Sequence, residues 1–285
     1  MIVFLLIGVA LLPGFSSTSS PIVRTLLTIA GHDPSSGAGI TADLQTFAAH
    51  RLFGTSAVTA LTVQSTFGVV QIHPVPPTLL QHTLQYLCAD LPPAGIKIGM
   101  LGSAEIASTV AAFLAFGCEP KTPIVLDPIL RASSGANLLP PEALEALHNL
   151  LLPSVTWITP NWSELAALTA LPIETLAQAE AATHALARRH PHLHIVATAG
   201  DHSQPTDLLR LPSGEIHRFV GEHIETTSTH GTGCAFSSAL LCLLVLRDTP
   251  IEAVRGAKHF VTEAIRRAPN LGHGKGPLNL LWHLS

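Results

Sequence analysis

The feature that most constrains the fold is a regular alternation of short apolar segments with longer helix-forming segments along nearly the whole chain. Short apolar runs are typical of buried strands, and strands that alternate with helices pair in parallel, with helices on both faces of the sheet. Polar or glycine residues follow strand after strand, for example Gly31-His32-Asp33 after 23–30 and Asp127 after 124–126. We therefore predict a single α/β domain of three layers, with a mostly parallel central sheet and one ligand cleft at the carboxyl ends of the strands.

Length and composition fit one domain that follows an N-terminal extension. A chain of 285 residues that is 47% hydrophobic can form one large core, and we find no internal repeat or linker. Residues 1–20 are apolar as far as Phe15 and then rich in serine; they lack a basic start and are short for a membrane span. We predict that 21–285 form the domain and that 1–20 lie outside it, either as a targeting segment or through an upstream start codon assigned in error.

Charge and cysteine content narrow the range of partners. A net charge of −4 without a basic stripe argues against nucleic acid, and we expect no stable membrane partner. The four cysteines have no CxxC spacing, so the sequence indicates neither a zinc site nor a disulfide framework. This cysteine usage fits a reduced, cytoplasmic setting, and only the apolar segment 1–20 points elsewhere.

The segment 229–234, with the sequence THGTGC, runs directly into the small, apolar stretch 235–244, which predicts a buried helix. Gly231 and Gly233 let the backbone approach a ligand, and the first N–H groups of a helix attract anions. Cys234 falls in the first turn, where a lowered thiol pKa is expected. The pattern favours chemistry on a phosphate or an oxyanion; the alternative is a glycine-rich loop that ends in a structural cysteine.

Six short segments, in this order, resemble the hydroxymethylpyrimidine and phosphomethylpyrimidine kinases of thiamine synthesis, which have a ribokinase-like fold. The resemblance covers about 26–277, nearly the whole chain, and each segment alone is a weak signal. The matching segments are 28–39 (TIAGHDPSSGAG), 97–100 (KIGM), 126–128 (LDP), 159–161 (TPN) with Glu164, 229–234 (THGTGC), and 272–277 (GHGKGP) without its lysine.

The resemblance implies ATP-dependent phosphorylation of 4-amino-5-hydroxymethyl-2-methylpyrimidine and then of its monophosphate. Cys234 would accept the hydroxymethyl proton, and the N–H groups at Gly231, Thr232 and Gly233 would hold the transferred phosphate. Sugar kinases of the same fold have aspartate at the cysteine position, so Cys234 points towards a heteroaromatic methanol as the substrate. The pyrimidine would contact Gly31, Asp43, Gln64 and Met100.

The resemblance also implies a nucleotide and a magnesium ion. ATP would contact Asp127, Asn161 and Thr198, and Glu164 would help to hold Mg²⁺, largely through water. Without the resemblance, Glu164 is an ordinary acid in the first turn of a helix. A homodimer is expected, because the family is often dimeric.

The chain departs from the family at two positions that often carry lysine, where it has Thr198 and Ser133. Lys275, in the C-terminal glycine loop, is a candidate substitute. Losing a cation from the phosphate site leaves two alternatives open beside the leading prediction. One is a pyridoxal or pyridoxine kinase, and the other is a weakly active pyrimidine-binding protein.

Overall fold

The computed structural model describes residues 23–117, 121–130, 142–200 and 205–284. The predicted extension, 1–20, and Ser133 lie outside these ranges. The described residues form nine strands: β1 (Thr25–His32), β2 (Phe53–Ser65), β3 (Gly68–Pro74), β4 (Gly95–Ile98), β5 (Ile124–Leu126), β6 (Trp157–Ile158), β7 (His194–Ala197), β8 (Thr206–Arg210) and β9 (Ile216–Val220). They also form eight α-helices: α1 (Gly39–Ala49), α2 (Pro77–Asp90), α3 (Ala104–Gly117), α4 (Glu142–Ala146), α5 (Trp162–Thr169), α6 (Leu176–Arg189), α7 (Thr232–Val245) and α8 (Pro250–Arg266).

All nine strands belong to one sheet, in the order β3-β2-β1-β4-β5-β6-β7-β8-β9. Six neighbouring strands of the sheet are parallel to one another: β2, β1, β4, β5, β6 and β7. The other three, β3, β8 and β9, are each antiparallel to their neighbours. The predicted mostly parallel sheet is therefore confirmed. Because the parallel strands end at one edge, the loops that follow β1, β4, β5 and β6 meet there.

The sheet lies between two helical layers, each with its own apolar core. Successive residues of a strand face opposite sides, so Leu26 packs with α1, α7 and α8, whereas Leu27 packs with the layer formed by α2 to α6. Both side chains are fully buried. This alternation gives the three predicted layers. No helix within the described ranges is both long enough and apolar enough to cross a membrane.

The helical segment that begins with α4 is interrupted. α4 ends at Ala146, and the chain continues in a wide, π-helical turn, Leu147–Leu151. The extra residue of such a turn changes which side chains face inward. As a result Leu147, His148 and Leu151 are all buried.

Candidate active site

An anion cradle lies where two glycine loops meet. Gly231 has a φ of +85°, and a Cβ added there would lie 1.9 Å from the backbone oxygen of Gly37. A Cβ on Gly37 would in turn lie 2.3 Å from the ring of His230. The loops after β1 and before α7 therefore pack backbone against backbone, which only glycine permits. No side chain caps the N-terminus of α7, so the N–H groups of its first turn are available to an anion.

The cradle opens into a cavity at the predicted edge of the sheet. The apolar lining comes mainly from Val69, Met100 and Ile129, and Gly31 lies directly under the Met100 side chain. Every predicted site residue except Asp43 lines this cavity. These residues are Gly31, Gln64, Met100, Asp127, Asn161, Glu164, Thr198, Gly231, Thr232, Gly233 and Cys234.

The structure corrects the role predicted for Asp43. Its carboxylate is fully buried and accepts hydrogen bonds from Nζ of Lys97 at 2.9 and 3.0 Å. It also accepts hydrogen bonds from the hydroxyls of Thr28 at 2.5 Å and Ser238 at 2.8 Å. With its oxygens bound inside the protein and its position behind the cavity wall, Asp43 does not contact a pyrimidine. The sequence contained a signal: Ile40, Asp43 and Phe47 have the spacing of one buried helix face, and all three are buried.

The predicted low pKa of Cys234 is also wrong. Burial raises the pKa of this thiol to about 12, and the charges of Asp127 and Asp43 act in the same direction. The charge of Lys97 and the N–H of Gly39 act against this rise but do not cancel it. Desolvation therefore outweighs the helix N-terminus, and the thiol holds its proton at neutral pH.

Asp127 and Glu164 form a pair of carboxyl groups on the cavity wall. Burial raises the pKa of Asp127 to about 6, and burial together with the charge of Asp127 raises the pKa of Glu164 well above its ordinary value. Glu164 is also part of a helix cap: its Oε2 accepts from the N–H of Asn161 at 2.8 Å, and Oδ1 of Asn161 accepts from its N–H at 2.9 Å. The interpretation of Glu164 as an acid in the first turn of a helix is therefore confirmed. The same cap fixes a carboxylate that lines the cavity, and its role with Mg²⁺ stays a prediction.

The Glu164 carboxyl fits a magnesium ion. Burial and the charge of Asp127 both raise the pKa of Glu164, and a hard divalent ion beside this carboxyl relieves that repulsion. No group of three His, Cys, Asp or Glu side chains in the described part of the chain could enclose a metal. An ion held by Glu164 would therefore fill its remaining positions with water and phosphate oxygens.

Sequence reasoning missed a buried Asp33–His230 pair that joins the two glycine loops. Nε2 of His230 lies 2.7 Å from Oδ2 of Asp33, and the N–H groups of Ser35 and Ala38 also donate to this carboxylate. Burial raises the pKa of Asp33, but the hydrogen bonds from His230 and Ser35 outweigh it and hold the pKa below its ordinary value. The carboxylate is therefore ionised and accepts the Nε2 proton of His230. Both residues stand inside segments that the sequence analysis had singled out.

This pair also orients Gln64. Nε2 of His230 lies 3.1 Å from the Gln64 amide, and the hydroxyl of Thr62 lies 3.2 Å from the other end of that amide. The Thr62 hydroxyl already donates to the backbone oxygen of His32 at 2.9 Å, so it is free only to accept. Nε2 of His230 carries one proton, which Asp33 accepts, so this nitrogen has no lone pair to accept from the Gln64 amide. The amide therefore satisfies both neighbours best with its oxygen towards His230 and its nitrogen towards Thr62. One acceptor site and one N–H then remain for a ligand.

A second cavity adjoins the first across the cradle. Thr198, Thr232 and Gly233 line both cavities. The second cavity is bordered by an ion pair that sequence reasoning missed, in which Nζ of Lys258 lies 2.6 Å from Oδ2 of Asp207. The other oxygen of Asp207 accepts from the N–H of Ala199 at 2.9 Å. The cradle thus lies between two connected cavities, as a transferred group requires.

Comparison with known proteins agrees with this geometry. The family model for phosphomethylpyrimidine kinase matches residues 33–279. The chain is 42% identical over 263 residues to a hydroxymethylpyrimidine/phosphomethylpyrimidine kinase from Haemophilus influenzae, covering 90% of this chain and 96% of that protein. It is 35% identical to the Bacillus subtilis protein of the same name, covering 89% and 93% of the two chains.

Solved structures of two kinds are similar to this chain. The pyridoxal kinase from Staphylococcus aureus in complex with AMP-PCP and pyridoxal has a TM-score of 0.81 at 28% identity, covering 92% of this chain and 95% of that one. The phosphomethylpyrimidine kinase from Clostridium difficile 630 has a TM-score of 0.73 at 31% identity, covering 85% and 99%. The match to the family model and the identity to curated relatives agree, and the chain belongs to the phosphomethylpyrimidine kinase family.

Proposed function

We propose that this protein is an ATP-dependent kinase of thiamine synthesis that phosphorylates 4-amino-5-hydroxymethyl-2-methylpyrimidine and then its monophosphate. The observation that carries the proposal is the cavity itself, in which a slot edged by the Gln64 amide leads to the Gly231–Cys234 cradle. An aminopyrimidine presents donors and acceptors along one edge, which the free N–H and oxygen of Gln64 match. Relatives at 42% and 35% identity carry the name of this activity.

ATP would lie in the second cavity with its terminal phosphates on the cradle. Thr232 and Gly233 line both cavities, so a phosphoryl group there is within reach of the donor and the acceptor. Similar kinases have been solved with ADP and with AMP-PCP. Glu164 would hold Mg²⁺, largely through water, and when bound this ion neutralises charge on the phosphates. Asp127 would border the phosphates of ATP. Asn161 would orient Glu164 through the helix cap, and Thr198 would border the phosphate chain.

Because the Cys234 thiol is protonated, it can accept the hydroxymethyl proton only if its own Sγ–H proton passes to a second group. The Cys234 thiol donates a hydrogen bond to Asp127, whose pKa of about 6 leaves it ionised at neutral pH. In the first phosphorylation, the hydroxymethyl proton moves to Sγ of Cys234 as the Sγ–H proton moves to Asp127. The hydroxymethyl oxygen bonds to the terminal phosphorus of ATP, and the bond from that phosphorus to the leaving ADP oxygen breaks. In the second phosphorylation the attacking phosphate oxygen is already ionised, so no proton has to leave.

The first prediction follows from this difference between the two steps. Cys234→Ala should lower the turnover of the hydroxymethylpyrimidine by about 10²–10⁴-fold, the usual contribution of a positioned proton acceptor. Turnover of the monophosphate should fall much less. The measurement is steady-state ADP release with MgATP and each acceptor supplied separately. Equal losses on both acceptors would remove Cys234 from proton transfer.

The same assay, with pyridoxal as a third acceptor, separates the competing functions. A pyridoxal kinase is the second candidate, because Staphylococcus aureus pyridoxal kinase has nearly the same fold. We expect the wild-type protein to prefer the pyrimidines. Turnover of pyridoxal alone would overturn the proposal, and pyrimidine binding without ADP release would select the weakly active binding protein.

We further propose a cytoplasmic homodimer whose kinase domain is 21–285, with 1–20 as an extension. A dimer is supported by the outward face of the β2–β3 hairpin, where Leu61, Val63, Phe67 and Val70 are all at least half exposed. β3 is also one of the two edge strands of the sheet, and an edge strand presents backbone groups that can pair with another chain.

A further inference from the structure

The four lysines of the chain differ in whether their charge is already neutralised. Lys97 is buried against Asp43, and Lys258 is paired with Asp207. Lys121 is exposed and borders neither of the two cavities. Lys275 is exposed and forms no ion pair with any described residue. Among the described lysines, Lys275 is therefore the one with a free charge near the cleft.

Lys275 lies at the boundary between the acceptor side and the donor side of the site. It lines one surface pocket together with Gln64, Val69 and His230, which border the pyrimidine slot. It lines another together with Asn161, Thr198, Thr232 and Gly233, which border the place of the transferred phosphate. A lysine stem is long and flexible, so one ammonium group can serve either side.

The backbone around Lys275 is held on both sides. Its N–H donates to the backbone oxygen of Thr66 at 2.9 Å, and a Cβ on Gly274 would lie 2.1 Å from that oxygen. On the other side, the N–H of His230 donates to the backbone oxygen of Gly276 at 3.1 Å. The loop is thus fixed between the β2–β3 turn and the cradle, and the lysine side chain starts from a defined position.

The two acceptors differ in what they require from such a cation. The first is a neutral alcohol, whereas the second is a phosphate with a charge of about −1.5 to −2 that must approach the phosphates of ATP. Repulsion between these groups opposes the second step far more than the first. A free ammonium group between donor and acceptor relieves it.

We propose that Lys275 is a specificity-determining residue for the second phosphorylation, in which its ammonium group binds the phosphate of the pyrimidine monophosphate. This inference rests on the proposed function. It gives Lys275, which lies outside the residues that would contact the pyrimidine ring, a role in the second phosphorylation. Cys234 and Lys275 then divide the reactions: the thiol serves the alcohol, and the ammonium group serves the phosphate.

The test compares Lys275→Met, which keeps the length and removes the charge, with the matched control Lys121→Met. We expect Lys275→Met to lower kcat/KM for the monophosphate by about 10- to 100-fold, as for the loss of one charge-assisted hydrogen bond. The kcat/KM of Lys275→Met for the unphosphorylated hydroxymethylpyrimidine should change less than about threefold, because that acceptor carries no charge. Lys275→Arg should recover most of the loss, and Lys121→Met should behave as wild type. An equal loss on both acceptors, or no loss on either, would overturn the proposal.

Binding separates this proposal from the proposed function. Calorimetric titration of the pyrimidine monophosphate without nucleotide should show weaker binding to Lys275→Met than to wild type, with a smaller effect of added salt. A wild-type protein that phosphorylates neither acceptor would contradict the proposed function. The binding comparison would still decide whether Lys275 holds the acceptor phosphate, since unchanged affinity would overturn it.

Discussion

The ion pair between Lys97 and Asp43 shows how single residues shape the site from behind the cavity wall. Burial lowers the pKa of Lys97, but the charges of Asp43 and Asp127 and the hydrogen bond to Asp43 hold the pKa above its ordinary value. The ammonium charge also stabilises the thiolate form of Cys234. A lysine inside the fully buried strand β4 is therefore tolerated, because Asp43 neutralises its charge.

The second prediction concerns this pair. Lys97→Met leaves the Asp43 carboxylate buried without its cation, so we expect a loss of about 3–5 kcal/mol in the free energy of unfolding. Adding Asp43→Asn removes the stranded charge and keeps an oxygen for one of the two hydroxyls, those of Thr28 and Ser238, which donate to different oxygens of Asp43. Much of the loss should therefore be recovered. Denaturant titration of the two variants measures the difference. A double variant as unstable as Lys97→Met would show that the pair matters for more than its charge balance.

For single residues, the sequence predicted which side chains would line the site, but it did not predict their pKa values. The glycine motif singled out Cys234, a strand end singled out Asp127, and the family resemblance singled out Gln64; all three line one cavity. Burial could not be derived in that way, because the depth of a side chain depends on elements distant in sequence. Cys234 was therefore assigned a lowered pKa from its helix alone, although packing raises it.

At the scale of elements, two histidines connect the π-helical turn after α4 to α5 and α6. Nε2 of His148 lies 2.9 Å from the backbone oxygen of Leu168 at the end of α5, and Nδ1 lies 3.2 Å from Nε2 of His190 after α6. With one proton on each ring, His148 donates to Leu168 and accepts from His190. A second proton on His148 would place two donors face to face. Burial lowers the pKa of both rings, and that of His190 falls to about 4.

The third prediction is a loss of stability in mild acid. Because the folded pKa of each histidine is below the ordinary value of 6.5, the unfolded chain binds protons that the folded chain does not. This contribution is fully present above pH 6.5 and is lost as the pH falls towards 4. His190→Gln keeps a donor for His148 but does not titrate, so its melting temperature should fall less than that of wild type between pH 7 and pH 5. Parallel curves would contradict this account.

Element positions were predicted well because their signals are local. The apolar runs 23–30 and 124–126 overlap β1 and β5, and the small, apolar stretch 235–244 lies within α7. The π-helical turn was missed because it is stabilised by the distant contacts of His148, and no local pattern indicates it. The pairing of Asp33 with His230 was missed for the same reason, since 197 positions separate the two residues.

At the scale of the whole molecule, the exposed face of the β2–β3 hairpin leads to the fourth prediction. Val63 and Val70 are 50% and 77% exposed, which suits an interface better than a solvated surface. A Val63→Glu/Val70→Glu variant should elute and scatter light as a monomer, whereas wild type should have the mass of two chains. Tyr86→Glu, at an equally exposed position on α2, is the control and should leave the mass unchanged. A wild-type monomer at all concentrations would contradict the dimer.

The contact between the two glycine loops also has a consequence for synthesis on the ribosome. The cradle needs Gly37 from the beginning of the domain, Gly231 from near its end, and the hydrogen bond from His230 to Gly276 that follows later still. Early strands can pair while translation continues, but these loops cannot meet before the segment 271–277 has been released. A nascent chain therefore lacks the assembled anion cradle until residues 271–277 have left the ribosome.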